Sequence, residues 1–263
     1  MEREEIKNRV VDFFRRRLPL LKDPSPKPQI QMGDLYHLFD DSLKGIPGWQ
    51  QNQVYTIIRE IVQEFINNGL LYPGLAGDFN SGYPWLTITE FGKEAFTQDD
   101  WLPYDPDGYL KALKTRVPEI DDITFAYVGE SVSTFNRGQL LSATITLGVA
   151  SENLMLLLIE AYLGWMSDQT RKAAFEKKIK DRSIYTQYRE FKQEFEKDVK
   201  NIPKDLQANW ETYLDGIFNF IRLNRNSAGH PTGKQLSAKT VYANLQIFAD
   251  YAQYIFDLIK FFS

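Results

Sequence analysis

The sequence predicts a mainly α-helical protein in which a small α+β domain precedes a helical bundle. Two observations carry this. Apolar residues recur at helical spacing near the start and through the whole second half, while the pattern of strand, turn and strand occurs once, near residues 70–89. Of 263 residues, 43% are hydrophobic, and 18 Phe, 14 Tyr and 5 Trp supply anchors for more than one core.

The first helix covers 1–20, where Ile6, Val10, Phe13, Phe14 and Leu18 recur at helical spacing, and it is stopped by Pro19 and LKDPSPKP. A second helix is expected over 30–44, ending at Gly45. A third is expected over 51–68, with Val54, Ile57, Ile58, Ile61, Val62 and Phe65 inward and Asn67-Asn68-Gly69 as its C-terminal stop. Leu70–Tyr72 and Trp85–Thr89 read as a hairpin with a long tip, after which Thr89 caps a short helix through Phe96. Residues 1–100 thus form the first domain. Residues 101–133 read as a connector with a short helix near 107–116, and Ile123–Tyr127 docks on the second domain. Residues 134–263 read as four helices, over 134–167, 169–199, from Pro203 onward, and 237–262. The five tryptophans are dispersed and read as core anchors.

Composition removes several chemistries. There is no cysteine, so disulfides, thiol catalysis and Cys-ligated zinc are excluded. Two histidines, His37 and His230, cannot build a three-His zinc site or an HExxH motif. No metal or cofactor is expected, and His37 reads as structural. The net charge is −4, and residues 1–100 alone hold 11 basic against 15 acidic residues. A general electrostatic grip on nucleic acid is not implied. The local exception is Arg15-Arg16-Arg17, a candidate nucleic-acid patch that is equally a solvated helix face. The most apolar run, Ile145–Leu163, is interrupted by Glu152, Asn153 and Glu160, and reads as a core helix with no membrane partner. The start shows no uninterrupted apolar signal region, so a soluble, cytoplasmic protein is expected.

The chemistry-bearing residues gather at the end of the third bundle helix. Arg222, Arg225, Asn226 and His230 lie within nine residues, where an apolar helix meets Gly229-His230-Pro231. Arg222 and Asn226 are one turn apart and share a face. A break at Gly229 folds His230 back toward Arg225. A fixed cation, an amide and a titratable imidazole suit phosphodiester cleavage. Arginine holds phosphate oxygens, histidine moves a proton near neutrality, and asparagine orients either without adding charge. Glu152 is the other residue of interest. It either faces an exposed seam or pairs with Arg222 or Arg225 and so orients the motif.

Two resemblances sharpen the reading. Over about 1–97, three helices followed by "NNGLLYPG…PWLTITEFGKEAF" resemble a winged helix-turn-helix domain. Over about 134–262, "RNSAGHP" between the last two helices resembles the Arg-x4–6-His motif of HEPN domains, and "LLSATITLGVASENLMLLLIEAY" is similar to the first core helix of that superfamily. The motif falls on Arg225, four intervening residues, then His230, with Asn226 in the polar position after the arginine. The resemblance implies metal-independent cleavage of RNA, in which the 2′-oxygen attacks the adjacent phosphate and leaves a cyclic phosphate and a 5′-hydroxyl. His230 is then the general acid or base, Arg225 stabilises phosphate charge, and Asn226 positions both. Arg222 and Glu152 are expected as supporting or RNA-binding residues. The resemblance further implies a homodimer with two facing motifs, and a role in antiviral defence or a toxin–antitoxin pair with an antitoxin or defence-system partner protein. Two alternatives stand beside it: a noncatalytic HEPN regulatory or partner-binding protein, and a winged-helix DNA-binding regulator.

Overall fold

A computed structural model describes residues 1–22, 30–74, 85–98, 102–229 and 236–263 and is predominantly α-helical. The chain divides into two units, Met1–Trp101 and Leu102–Ser263.

In the first unit, α1 (Arg3–Arg17) buries Ile6, Val10, Phe13 and Phe14, the predicted apolar stripe. The segment expected as one helix over 30–44 instead begins with strand β1 (Ile30–Gln31) and continues as two short helices, α2 (Met32–His37) and α3 (Asp40–Leu43). The reason is local. The Asp34 carboxylate accepts the Gln31 backbone N–H at 2.9 Å, a capping box that starts a helix only at Met32. Helix α4 (Gly48–Asn67) ends as its sequence indicates. Gly69 takes φ +73°, the Leu70 N–H reaches the Phe65 carbonyl at 2.9 Å, and the Gly69 N–H reaches Ile66 at 3.0 Å. This pair of bonds is a Schellman stop, which a glycine accommodates without strain.

Strands β2 (Leu71–Pro73) and β3 (Trp85–Ile88) pair antiparallel as the predicted hairpin, with Leu71 opposite Ile88. Strand β1 lies on the other side of β3, Ile30 opposite Leu86, so the order is β1-β3-β2. The hairpin tip lies outside the described residues. Thr89 caps α5 (Glu90–Thr97) by accepting the Gly92 N–H at 2.8 Å. Phe14, Phe65 and Phe96 form the aromatic centre of this unit, with Phe14 and Phe96 stacked at 5.1 Å.

In the second unit, the expected connector is two helices, α6 (Pro106–Arg116) and α7 (Asp122–Asn136). Asp105 and Asp121 cap them, and Pro106 occupies the first turn of α6. They belong to the core of this unit. Tyr109 donates a buried hydrogen bond to the Leu245 carbonyl at 2.6 Å, and Ser131 donates to the Ala143 carbonyl at 2.7 Å. The long helix expected from residue 134 starts later, as α8 (Leu140–Trp165). Gly138, at φ +70°, lets α7 stop first.

Helix α8 is the axis against which α7, α12 (Phe218–Gly229) and α13 (Ala238–Phe262) pack. By length and composition α8 could cross a membrane, and 56% of its most apolar window is buried inside the unit. The helix expected over 169–199 is divided into α9 (Gln169–Ile179) and α10 (Ile184–Phe195). Asp181 sits at φ 57° between them, and Ser183 caps α10. After Pro203 comes a nearly continuous helical stretch: α11 (Lys204–Glu211), a π-helical turn (Thr212–Ile217) and then α12. Helix α13 closes the unit; of the apolar stripe its sequence predicts, Val241, Leu245, Phe248, Ala252 and Ile255 are buried and Ile259 is half-buried. The tryptophans are a correction. Trp49 is exposed, Trp85, Trp165 and Trp210 are only half-buried, and Trp101 lies outside the described residues. A large indole is seldom wholly enclosed.

Candidate functional site

Helix α12 carries the candidate residues along one side and meets α8 at a glycine. A Cβ on Gly148 would stand 2.3 Å from Cγ and 2.5 Å from Cβ of Arg225. The bare backbone of α8 therefore receives the arginine stem and fixes where its guanidinium emerges. Arg225 Nη2 lies 3.8 Å from Glu152 Oε2, one turn along α8. Of the two partners expected for Glu152, Arg225 is the one in ion-pair reach. Arg225 Nη1 donates to the Asn226 side-chain oxygen at 3.3 Å. Its Nε–H is buried and has no hydrogen-bond partner among the described residues. Five donors in a fixed fork thus have one weak hydrogen bond and one loose ion pair.

Glu152 is 15% exposed. Burial raises its carboxyl above the ordinary range, and the charges of Arg225 and Arg222 only partly offset this. Tyr251 of α13 approaches from the third side. It donates to the Ser151 carbonyl at 3.2 Å, and its phenol is raised by full burial and by the nearby Glu152 charge. Asn224 donates to the Asn244 side-chain oxygen at 3.4 Å, tying α12 to α13. Ser151 Oγ and Asn244 Nδ2 are also buried without partners among the described residues. The junction of α8, α12 and α13 is therefore polar and under-satisfied inside an otherwise apolar packing.

Arg222 lies one turn before Arg225 and Asn226. Its guanidinium stacks over the Tyr185 ring of α10 at 4.2 Å, and its Nε donates to Asn219 at 3.4 Å. Sequence reasoning did not mark Tyr185, because its spacing assigns the ring to the buried face of that helix. His230 comes directly after Gly229, the last residue of α12, and lies outside the described residues. Among the described residues, no three of His, Asp and Glu converge as metal ligands.

The patch in the first unit is less available than its sequence suggests. Arg15 donates to the Gln98 carbonyl at 2.8 Å, Arg17 covers the Phe13 ring at 4.8 Å, and Arg16 is exposed. Lys7, on the same helix, is buried against Glu64 at 2.6 Å. His37 is exposed and pairs with Asp40 at 2.9 Å. Comparison with protein-family models, curated proteins and solved structures found no match for the chain.

Proposed function

We propose that the second unit is an endoribonuclease that works without a metal, built as a HEPN-like bundle around Arg225, Asn226 and His230. The observation that carries this reading is the state of Arg225. Its stem is seated on Gly148, its Nε–H is buried and unpartnered among the described residues, and its Nη2 is held only loosely by Glu152. Such a guanidinium is preorganised to donate to phosphate oxygens and to gain most when charge develops on them. Asn226 touches it and can steer it or the substrate. His230, five residues on, takes the proton from the RNA 2′-hydroxyl or delivers one to the departing 5′-oxygen. The products are a 2′,3′-cyclic phosphate and a 5′-hydroxyl.

The first unit is then a winged-helix-like accessory domain. The order of helix, strand, two short helices, helix and hairpin, with β1 on β3, supports that reading. Its net negative charge favours a partner protein over duplex DNA as its ligand. The working form is a cytoplasmic homodimer with two facing motifs, in a defence or toxin–antitoxin module.

The test is cleavage of single-stranded and structured RNAs in excess EDTA, with both new termini mapped and the native mass measured by light scattering. His230→Ala should lower the rate by roughly 10²–10⁴-fold. Arg225→Lys should rescue Arg225→Ala poorly, since an ammonium lacks the guanidinium fork. Undiminished cleavage by a folded His230→Ala protein sinks the mechanism. A protein that binds RNA and never cuts it supports the noncatalytic alternative.

A further inference from the structure

Tyr185 and Arg222 pair at the surface of the second unit, outside the trio to which the proposed ribonuclease reading assigns bond cleavage. Tyr185 is 45% exposed at the start of α10. Arg222 places its central carbon 4.2 Å from the ring centre, and Asn219 holds Arg222 Nε. In the other cation–aromatic pairs of the described residues, the ring is buried or half-buried: Phe39, Phe13, Phe125 and Trp210. An exposed ring layered with a guanidinium is a surface on which a planar, unpaired base can stack. Arg222 precedes Arg225 by three residues, a rise of about 4.5 Å along the helix. Both arginines leave the same turn of α12, Arg222 toward Tyr185 and Arg225 toward Glu152, so a strand that stacks a base on this surface runs along the helix that presents Arg225.

We infer that Tyr185 and Arg222 form a stacking platform for an unpaired RNA base next to the phosphate gripped by Arg225. The inference rests on the RNA-cleaving reading and deepens it by naming the substrate class as single-stranded RNA. Bases inside a duplex are already stacked on each other and cannot reach the ring without being extruded. The platform reads no base edge, so it tolerates any base, with selectivity left to stacking strength. Tyr185 is thus a binding and positioning residue, and Arg222 both completes the stack and adds positive charge.

The test uses the full-length protein and a 2′-O-methylated single-stranded 12-mer, which has no free 2′-hydroxyl to attack. It carries 2-aminopurine at each position in turn. Binding is read by anisotropy and stacking by quenching of the aminopurine. Tyr185→Ala should weaken binding on the order of tenfold and abolish the quenching. Tyr185→Phe should keep both, because the ring and not the hydroxyl does the stacking. With cleavable RNA, Tyr185→Ala should raise KM and leave kcat near the wild-type value. The same oligonucleotide annealed to its complement should bind more weakly than the single strand. If Tyr185→Ala binds as the wild type does, the platform is wrong and the RNA reading stands. If the wild type cuts RNA yet prefers the duplex, the platform is again wrong. If the wild type neither binds nor cuts any RNA, the platform and the RNA reading fall together.

Discussion

Two arginines of the second unit meet carboxylates, one pair buried and one half-buried, and they are treated in opposite ways. Arg171 of α9 is saturated. It donates to Asp198 at 2.5 Å, to the Tyr162 hydroxyl at 2.8 Å, to the Glu194 carbonyl at 3.1 Å and to the Glu194 carboxylate. Lys197 and Asn201 supply further donors to the two carboxylates. Burial alone would raise both carboxyls, and these bonds reverse it, holding Glu194 and Asp198 below their ordinary range. Among the described residues the buried Arg225 Nε–H has no partner, and its carboxylate, Glu152, is raised. A satisfied network ties helices together, whereas an unsatisfied one is a place where a ligand can gain.

The largest expected effect comes from breaking the saturated side. Arg171→Ala leaves Glu194 and Asp198, 6% and 9% exposed, without their main cation. Stability should fall by about 3 kcal/mol in urea unfolding, at the low end for a broken buried pair because Lys197 and Tyr162 remain. Arg225→Ala should cost far less stability, and under the proposed ribonuclease reading it should abolish cleavage. Equal losses for the two variants would erase the distinction.

A middle-sized effect should come from Gly148→Ala. The new methyl meets the root of the Arg225 side chain, not a flexible tip, so α8 and α12 must separate. Overpacking of this kind costs about 1–3 kcal/mol, partly offset by the better helix propensity of alanine. Cleavage should drop more steeply than stability, because the guanidinium is displaced. A Gly148→Ala protein with full activity would show that α8 does not seat Arg225.

The smallest effect, and the one that sharpens the contrast most, is its pH dependence. Glu194 and Asp198 bind protons less readily when folded, so they contribute stability above the usual carboxylate range that is lost as pH falls below about 4. Glu152 binds its proton more readily when folded, so stability falls as pH rises through the interval between its unfolded value and its raised folded one. Glu152→Gln should therefore be neutral or stabilising by less than about 1 kcal/mol at pH 7, with that pH-dependent loss removed. Glu194→Gln should destabilise at the same pH. Opposite signs in thermal melts at pH 7 are the check, and a loss in both variants would refute it.

The parts of the fold legible in the sequence are those written locally. Gly69 after Asn68, Thr89 before Glu90 and the stripe of α13 each sit where the residues place them. The parts that differ also had a local signal that periodicity obscured. Val128, Val132 and Phe135 share the spacing of a helix face, but the β-branched and aromatic run Ile123–Tyr127 masked α7. Gly138 and Asp181 mark breaks inside stretches apolar enough to read as continuous. At the candidate site, sequence spacing brought Arg222, Arg225 and Asn226 together and named Glu152. It could not distinguish between Arg222 and Arg225 as the partner of Glu152, nor find Gly148 or Tyr185, because those relations join distant segments and depend on how the helices pack.

The π-helical turn Thr212–Ile217 has a consequence for everything downstream of it. Its Asp215 is clasped by Tyr188 and Lys192 of α10, which anchors the wider turn. A π-turn takes up one residue more than an α-turn, so every residue downstream lies about 100° from where an uninterrupted α-helix of the same sequence would put it. Angular phase is thus set upstream of the chemistry. Tightening the turn to α geometry with all its residues kept would swing Arg225 away from Gly148 and Arg222 away from Tyr185, whereas deleting one residue as it tightens would leave both in place. The turn is the index mark of a dial, and where it points decides which helices the side chains of α12 face.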